Sequence, residues 1–313
     1  MSPPTIHGRF TWHELMTEHP DEAIAFYQKV VGWKVDQWGP NPDYRIWVGS
    51  RGPVGGVMAP TADARAMGAQ PTWLSYIGTT DIDATVRDAA RLGGRVMKGA
   101  TEVPSVGRFA VLADPQGAIF AVLQQHTPMT PPAGTKPGEF VWHELVTTDP
   151  DGAFNFYRAL FGWEKTRAHD MGPLGIYQLF GWPGVDLGGI YRKPPDMPAP
   201  PNWLPYIDVA NCKAATETLV KQGGKVLNGP MQVPGGGWIT MALDPHGIAL
   251  AIHQQPASMA AKPAAKAKKK AARKPAAKKA TKKKPAVKKT ARKKAAGRKP
   301  AGKKTAKRAK KGR

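Results

Sequence analysis

The chain has one cysteine, Cys212, so no disulfide can form within it, and a reducing compartment is the simpler setting. No apolar stretch approaches the ~20 residues that span a bilayer. The N-terminal segment lacks the apolar centre of a secretory signal. Acidic residues are absent from Pro256 to Arg313, which holds 26 of the 46 basic side chains. The rest of the chain therefore carries 20 basic and 23 acidic groups and is slightly acidic. The net charge of +23 belongs to the C-terminal segment alone. That segment has no aromatic residue and almost no large apolar one, so it cannot bury enough surface to offset its ordering entropy. It is expected to be disordered when alone.

What is present in residues 1–255 is a repeat. Trp12-His13-Glu14-Leu15 returns as Trp142-His143-Glu144-Leu145, and Phe26-Tyr27 as Phe156-Tyr157. Gly32-Trp33, Trp73, Tyr76, Gly93-Gly94, Val103-Pro104 and Asp114-Pro115-x-Gly117 all return 130 positions later. Gly55-Gly56 returns as Gly188-Gly189, at an offset of 133 that closes again before Trp73, so a compensated insertion lies in loops. Self-similarity of this extent indicates a duplicated domain. The boundaries read as 1–126, a Pro/Thr/Gly-rich linker at 127–138, a second domain at 139–255, and the basic segment at 256–313.

Each copy reads as α+β. Phe10–Thr17 alternates as a strand. Ala23, Phe26, Tyr27 and Val30 then form one helical stripe, repeated as Ala153, Phe156, Tyr157 and Leu160. Asp149 is placed to cap the second of these helices, with Pro150 at its first position. Three short strands follow, near 34–38, 44–48 and 54–58. A strand at 73–79, a helix over about 82–92 and further strands complete the copy, with a type I turn at Asp114-Pro115-Gln116-Gly117. Sheets in this order curl into half-open cups, with helices outside and a pocket inside.

The motif Trp-His-Glu-Leu, the following Phe-Tyr and Gly-Trp, the paired glycines and Asp-Pro-x-Gly before the last strand together resemble the vicinal oxygen chelate superfamily. That superfamily includes glyoxalase I, bleomycin-resistance proteins and extradiol dioxygenases. The resemblance covers roughly 9–125 and 139–255 and implies four βαβββ modules, two per domain, with two modules enclosing a site. Metal enzymes of the superfamily place ligands on the first, middle and last strands, where a divalent ion chelates vicinal oxygens. Aligned on the motifs, the outer positions fall on Trp12 and Ala121, and on Trp142 and Ala251. The middle ones fall around Gly55–Val57, Leu74–Ser75, Gly188–Ile190 and Leu204–Pro205. None is a plausible ligand, so the expectation is no metal and no cofactor.

Strand alternation puts His13 and His143 on the helix side as structural residues, and Glu14 and Glu144 in the cups beside an indole. A carboxylate there acquires a raised pKa and can serve as a general base, or it pairs with a neighbour. Trp12, Tyr44, Trp73, Tyr76, Trp142, Tyr177, Trp203 and Tyr206 are candidates to line ligand pockets, with simple core packing as the alternative. Arg108 in the first copy stands where Trp238 stands in the second; if both point inward, only the first pocket suits an anion. Cys212 reads as a buried, inert thiol, and His246 as an exposed turn residue.

The basic segment resembles, in composition, the tails of linker histones and bacterial histone-like proteins. Lys268-Lys269-Lys270, Lys282-Lys283-Lys284 and Arg292-Lys293-Lys294 suit phosphate contacts without base readout. The sequence thus points to a metal-independent small-molecule-binding protein with two cups, held on DNA or another polyanion by its tail. A glyoxalase-type lyase or isomerase with a pocket Glu as base, and an architectural nucleoid or chromatin protein, are the alternatives. Whether it is an enzyme stays open at this level. A metal-dependent dioxygenase is disfavoured. A monomer is expected, because the tandem pair can mimic a dimer of the superfamily, in the cytoplasm at the nucleoid, or in a nucleus if the host has one. No membrane partner is expected.

Overall fold

The computed structural model describes residues 6–39, 41–127, 134–182 and 184–256. The DNA-binding candidates from Lys268 to Lys294 lie outside these residues. Among the described residues no helix is long and apolar enough to cross a membrane.

The first repeat builds β1 (Phe10–Met16), α1 (Pro20–Val30), β2 (Lys34–Gln37), β3 (Arg45–Gly49), β4 (Gly52–Met58), α2 (Ala62–Ala66), β5 (Thr72–Gly78), α3 (Ile82–Arg91), β6 (Arg95–Val103), β7 (Gly107–Ala113) and β8 (Ile119–Gln125). The second builds β9 (Phe140–Thr147), α4 (Pro150–Phe161), β10 (Glu164–Asp170), β11 (Ile176–Trp182), β12 (Val185–Arg192), β13 (Asn202–Asp208), α5 (Cys212–Lys221), β14 (Lys225–Gln232), β15 (Trp238–Leu243) and β16 (Ala249–Gln254). The fold is α+β, as expected, and the short helix α2 was not foreseen. Thr61 opens α2 by accepting from the Ala64 amide at 3.2 Å.

Each repeat forms one eight-stranded sheet, in the order β2-β3-β4-β1-β5-β8-β7-β6 and β10-β11-β12-β9-β13-β16-β15-β14. Strands β1 and β5, antiparallel, sit at the centre, and each runs parallel to its other neighbour, β4 or β8. Two modules of four strands therefore meet edge to edge in each sheet. Asp81 and Asn211 cap α3 and α5 by accepting from Ala84 N and Ala214 N. Asp149 occupies the cap position of α4 but makes no capping bond; Pro150 starts that helix. At the Asp114 turn, the carboxylate accepts from the Gln116 and Ala118 amides at 3.0 and 2.8 Å.

The helices lie behind the sheets, away from the cups, but they are not an outer layer. One apolar core joins α3, β5, β7 and β8 to α4, β9, β11 and β12; the other joins α1, β1, β3 and β4 to α5, β13, β15 and β16. Each repeat thus completes the other's core, and α1 packs on α5 as α3 packs on α4. The polar contacts repeat across the same seam. Trp33 Nε1 donates to Gly138 O at 2.7 Å, and Trp163 Nε1 to Gly8 O at 2.8 Å. Phe10 stacks on His143, and Phe140 on His13, at 3.5 and 3.7 Å between ring centres.

Candidate functional site

Strand β1 carries a register shift between Phe10 and Trp12, which turns Phe10 toward the core and Trp12 into the cup. From there alternation holds: Trp12 and Glu14 face the cup, His13 and Leu15 the seam. Pairing aligns Trp12, Tyr76, Ala121 and Val111 in one row across the first sheet. Trp142, Tyr206, Ala251 and Met241 form the matching row in the second.

The second cup shows how its carboxylate is held. Glu144 lies beside Gly189 on one side and Leu204 on the other. Tyr177 and Tyr206 both donate to its Oε2, at 2.9 and 3.0 Å. Trp142 Nε1 in turn donates to the Tyr177 hydroxyl at 2.8 Å. The paired glycines explain how Tyr177 gets there. A Cβ on Gly189 would lie 2.1 Å from the Tyr177 ring, and one on Gly188 1.9 Å from His143 O. The second glycine lets the ring lie flat over β12; the first lets β12 close on β9. In the first cup Tyr44 occupies the space above Gly56, Trp12 Nε1 donates to it at 2.8 Å, and Tyr44 and Tyr76 stand against Glu14.

Burial is the largest influence on both carboxyls and raises both; the phenol hydrogen bonds work against it by favouring the charged form. Glu144 is pushed up to about 7. Near Glu14 stands Lys98, whose charge also favours the carboxylate. The corresponding residue of the second repeat is Asn228, and Met58 of the first is replaced by Tyr191, which stands 5.9 Å from Tyr177 ring to ring. Sequence reasoning missed Tyr191 and Lys98. Tyr191 was findable, because it lies two positions after Gly189 and so shares its face.

Four of the pocket candidates do not line the cups. Trp73 and Trp203 face the seam, where their indoles donate to the Tyr27 and Tyr157 hydroxyls at 3.0 and 2.9 Å. Tyr157 passes the chain on to Asp114 Oδ2 of the other repeat at 3.1 Å. Trp73 and Tyr76 are three positions apart, an odd step, so the two cannot share a strand face. Arg108 also points to the helix side and pairs with Asp83 of α3 at 2.7 Å, and Trp238 lies under Lys213 of α5. The contrast of an anion-binding and a neutral pocket at these two positions therefore falls away. Trp12, Tyr44, Tyr76, Trp142, Tyr177 and Tyr206 gather on the sheet faces opposite the seam.

His13 and His143 meet at the seam, Nε2 to Nε2, at 2.8 Å. Leu187 O, 3.3 Å from His143 Nδ1, can only accept, so His143 carries its proton there and takes the His13 Nε2 proton as acceptor. Desolvation depresses both, His143 to about 3 and His13 well below its ordinary value. The structural role expected of them holds. Cys212 is buried against Thr240, its thiol raised by desolvation. His246 is not simply exposed; its ring stacks on His19 at 4.3 Å.

A family model described as the Glyoxalase/Bleomycin resistance protein/Dioxygenase superfamily matches residues 9–122 and 139–252. The chain belongs to this superfamily. The mycobacterial protein named "Putative glyoxylase CFP32" of Mycobacterium tuberculosis is 28% identical over 250 residues, which cover 78% of this chain and 94% of that protein. The anthracycline biosynthesis protein DauV of a Streptomyces species is 32% identical over 181 residues, covering 58% and 64%. Among solved structures, the Mn(II)-bound glyoxalase of Novosphingobium aromaticivorans superposes with a TM-score of 0.54 at 13% identity, covering 80% and 82%. A 2,2',3-trihydroxybiphenyl 1,2-dioxygenase of Sphingomonas wittichii gives 0.56 at 11%, covering 79% and 89%. At these identities the structures speak for the fold.

The superfamily's metal chemistry needs donors along the central row, and the row here does not offer them. Ala121 and Ala251 have no donor atom, and the Trp12 and Trp142 ring nitrogens are spent on tyrosines. The remaining cup donors are one carboxyl and neutral phenols, a poor set for a divalent ion.

Proposed function

We propose that this protein binds a small molecule in its cups without a metal ion, and that the second cup is the principal site. The carrying observation is Glu144, a buried carboxyl near neutral pKa, clasped by two phenols and backed by an indole. Such a group accepts a hydrogen bond or a proton from a weakly acidic hydroxyl, while the rings supply flat apolar contact. The ligand class this favours is a flat, oxygen-bearing aromatic, and the name of the Streptomyces relatives, anthracycline biosynthesis proteins, supports the same class. Tryptophan fluorescence titration of the full chain with hydroxylated polycyclic aromatics tests it. Saturable quenching is expected, weakened at least about tenfold by Glu144→Gln, the scale of one charge-assisted hydrogen bond. Quenching that Glu144→Gln leaves intact would count against the assignment.

A second reading is a lyase or isomerase in which Glu144 moves a proton. Its pKa near 7 favours that role, because a base works best when its pKa matches the ambient pH. Turnover that disappears in Glu144→Gln and rises with pH through about 7 would establish it. The segment from Pro256 to Arg313 adds a second activity in this proposal. Its 26 cations would hold the chain on DNA by counterion release, at the nucleoid, with the fused repeats acting as a monomer.

A further inference from the structure

Away from both cups, three side chains from the two repeats converge at one point of the seam. His19 precedes the first residue of α1, Glu22 lies in the first turn of that helix, and His246 sits in the turn between β15 and β16. Glu22 Oε1 is 3.4 Å from His19 Nδ1, and Glu22 Oε2 is 3.4 Å from His246 Nε2. All three donor atoms lie within 4.8 Å of one another. We infer that His19, Glu22 and His246 form a zinc site that ties the first repeat to the second.

The convergence carries the inference: each carboxylate oxygen of Glu22 faces one imidazole nitrogen at 3.4 Å, and a modest tilt of the stacked His19 and His246 rings turns both nitrogens toward one ion. Direct hydrogen bonds would draw the pairs closer, to roughly 2.7–3.0 Å. Two imidazoles and one carboxylate are a donor set suited to Zn²⁺, with water completing the shell. A second observation points the same way: His246 Nε2, the nitrogen facing the cluster, is shielded from solvent and makes no hydrogen bond among the described residues, Glu22 Oε2 standing off at 3.4 Å. His246 is held in place by its own backbone, whose amide donates to Asp244 Oδ1 at 2.9 Å. The positive end of α1 disfavours a cation, and the Glu22 charge offsets it. At the matching place in the other half stand Asp149, Gly152 and Gln116, so the site is confined to one end of the seam.

Isothermal titration of the full chain with zinc chloride tests the inference. One ion per chain is expected, and His246→Ala, His19→Ala and Glu22→Gln should each weaken binding at least about tenfold, the scale at which even indirect partners of a ligand act. His126→Ala, elsewhere on the surface, should bind as the parent does. With free zinc about a hundredfold above Kd, Tm should rise by roughly 5–10 °C in the parent and not in His246→Ala. Circular dichroism checks that each variant is folded. The inference is overturned if no one-to-one binding appears up to about 100 micromolar zinc. It is equally overturned if His246→Ala, folded, binds undiminished, or if Glu14→Gln with Glu144→Gln removes the ion instead.

Discussion

Glu144 ties a single side chain to the pH dependence of the whole fold. Its pKa rises from 4.5 to about 7 on folding, so the folded chain holds a proton that the unfolded chain releases. Its contribution is therefore intact below about pH 4.5 and is lost as pH climbs through 7. Over that interval the loss approaches about 3 kcal/mol. Glu144→Gln keeps an acceptor for both phenols and removes the ionisation. The variant should be more stable than the parent at pH 8, with the gap closing toward pH 4.5, measured by urea unfolding at several pH values. The seam histidines act in the opposite sense. Their folded pKa values lie below 6.5, so their contribution is present above 6.5 and is lost as pH falls toward 3. At pH 4 His143 alone should cost roughly 3 kcal/mol. Replacing the pair, His13→Gln with His143→Gln, should flatten the acid limb of the same curve, whatever it does to stability at pH 7. An unchanged acid limb would mean that other groups take up the protons.

At the scale of the strand, the paired glycines bear the load that places the carboxyls. Gly189→Ala would drive a methyl into the Tyr177 ring, 2.1 Å away, and the ring rather than the strand must move. The expected cost is about 1–3 kcal/mol in urea unfolding, the usual range for overpacking. Glu144 should titrate still higher, because the departing phenol favours its charged form. A Glu144 titration left where it was would show that Tyr206 alone suffices. The elements themselves were legible in the sequence: the Ala23–Phe26–Tyr27–Val30 stripe, the helix over about 82–92 and the Asp114 turn all stand where spacing put them, while the cap expected from Asp149 makes no bond. Facing was legible wherever alternation was applied, as at His13 and Glu14, and lost wherever it was not, as at Trp73 and Arg108. The bulge at Phe10 reverses the phase of β1 and leaves no mark in residue types. The His19–Glu22–His246 cluster could not be read at all, since it depends on how two distant repeats dock.

For the whole molecule, charge separates two regimes. Residues 1–255 are slightly acidic, and every charged side chain of the last 58 is basic. Trypsin should therefore stop at a resistant core ending near residue 255, since exposed, unprotected backbone is where cleavage concentrates. Survival of an intact basic segment in the absence of nucleic acid would contradict its expected disorder. The full chain should bind duplex DNA of any sequence and residues 1–255 should not. If about 6–10 phosphates are engaged, affinity should fall roughly 10³–10⁵-fold between about 50 and 200 mM salt. Gel shifts of both forms at those two salt concentrations check this, and salt-insensitive binding would refute a counterion mechanism.

The seam in which each repeat completes the other's core also governs what could diversify. Two separate copies of one gene product would have to meet by mass action, and every change in one cup would appear in both. Covalent fusion makes encounter independent of concentration and frees each half to accept substitutions alone. Lys98 opposite Asn228, and Met58 opposite Tyr191, record that freedom: the shared interior stays symmetric while the two cups have drifted into different chemical company.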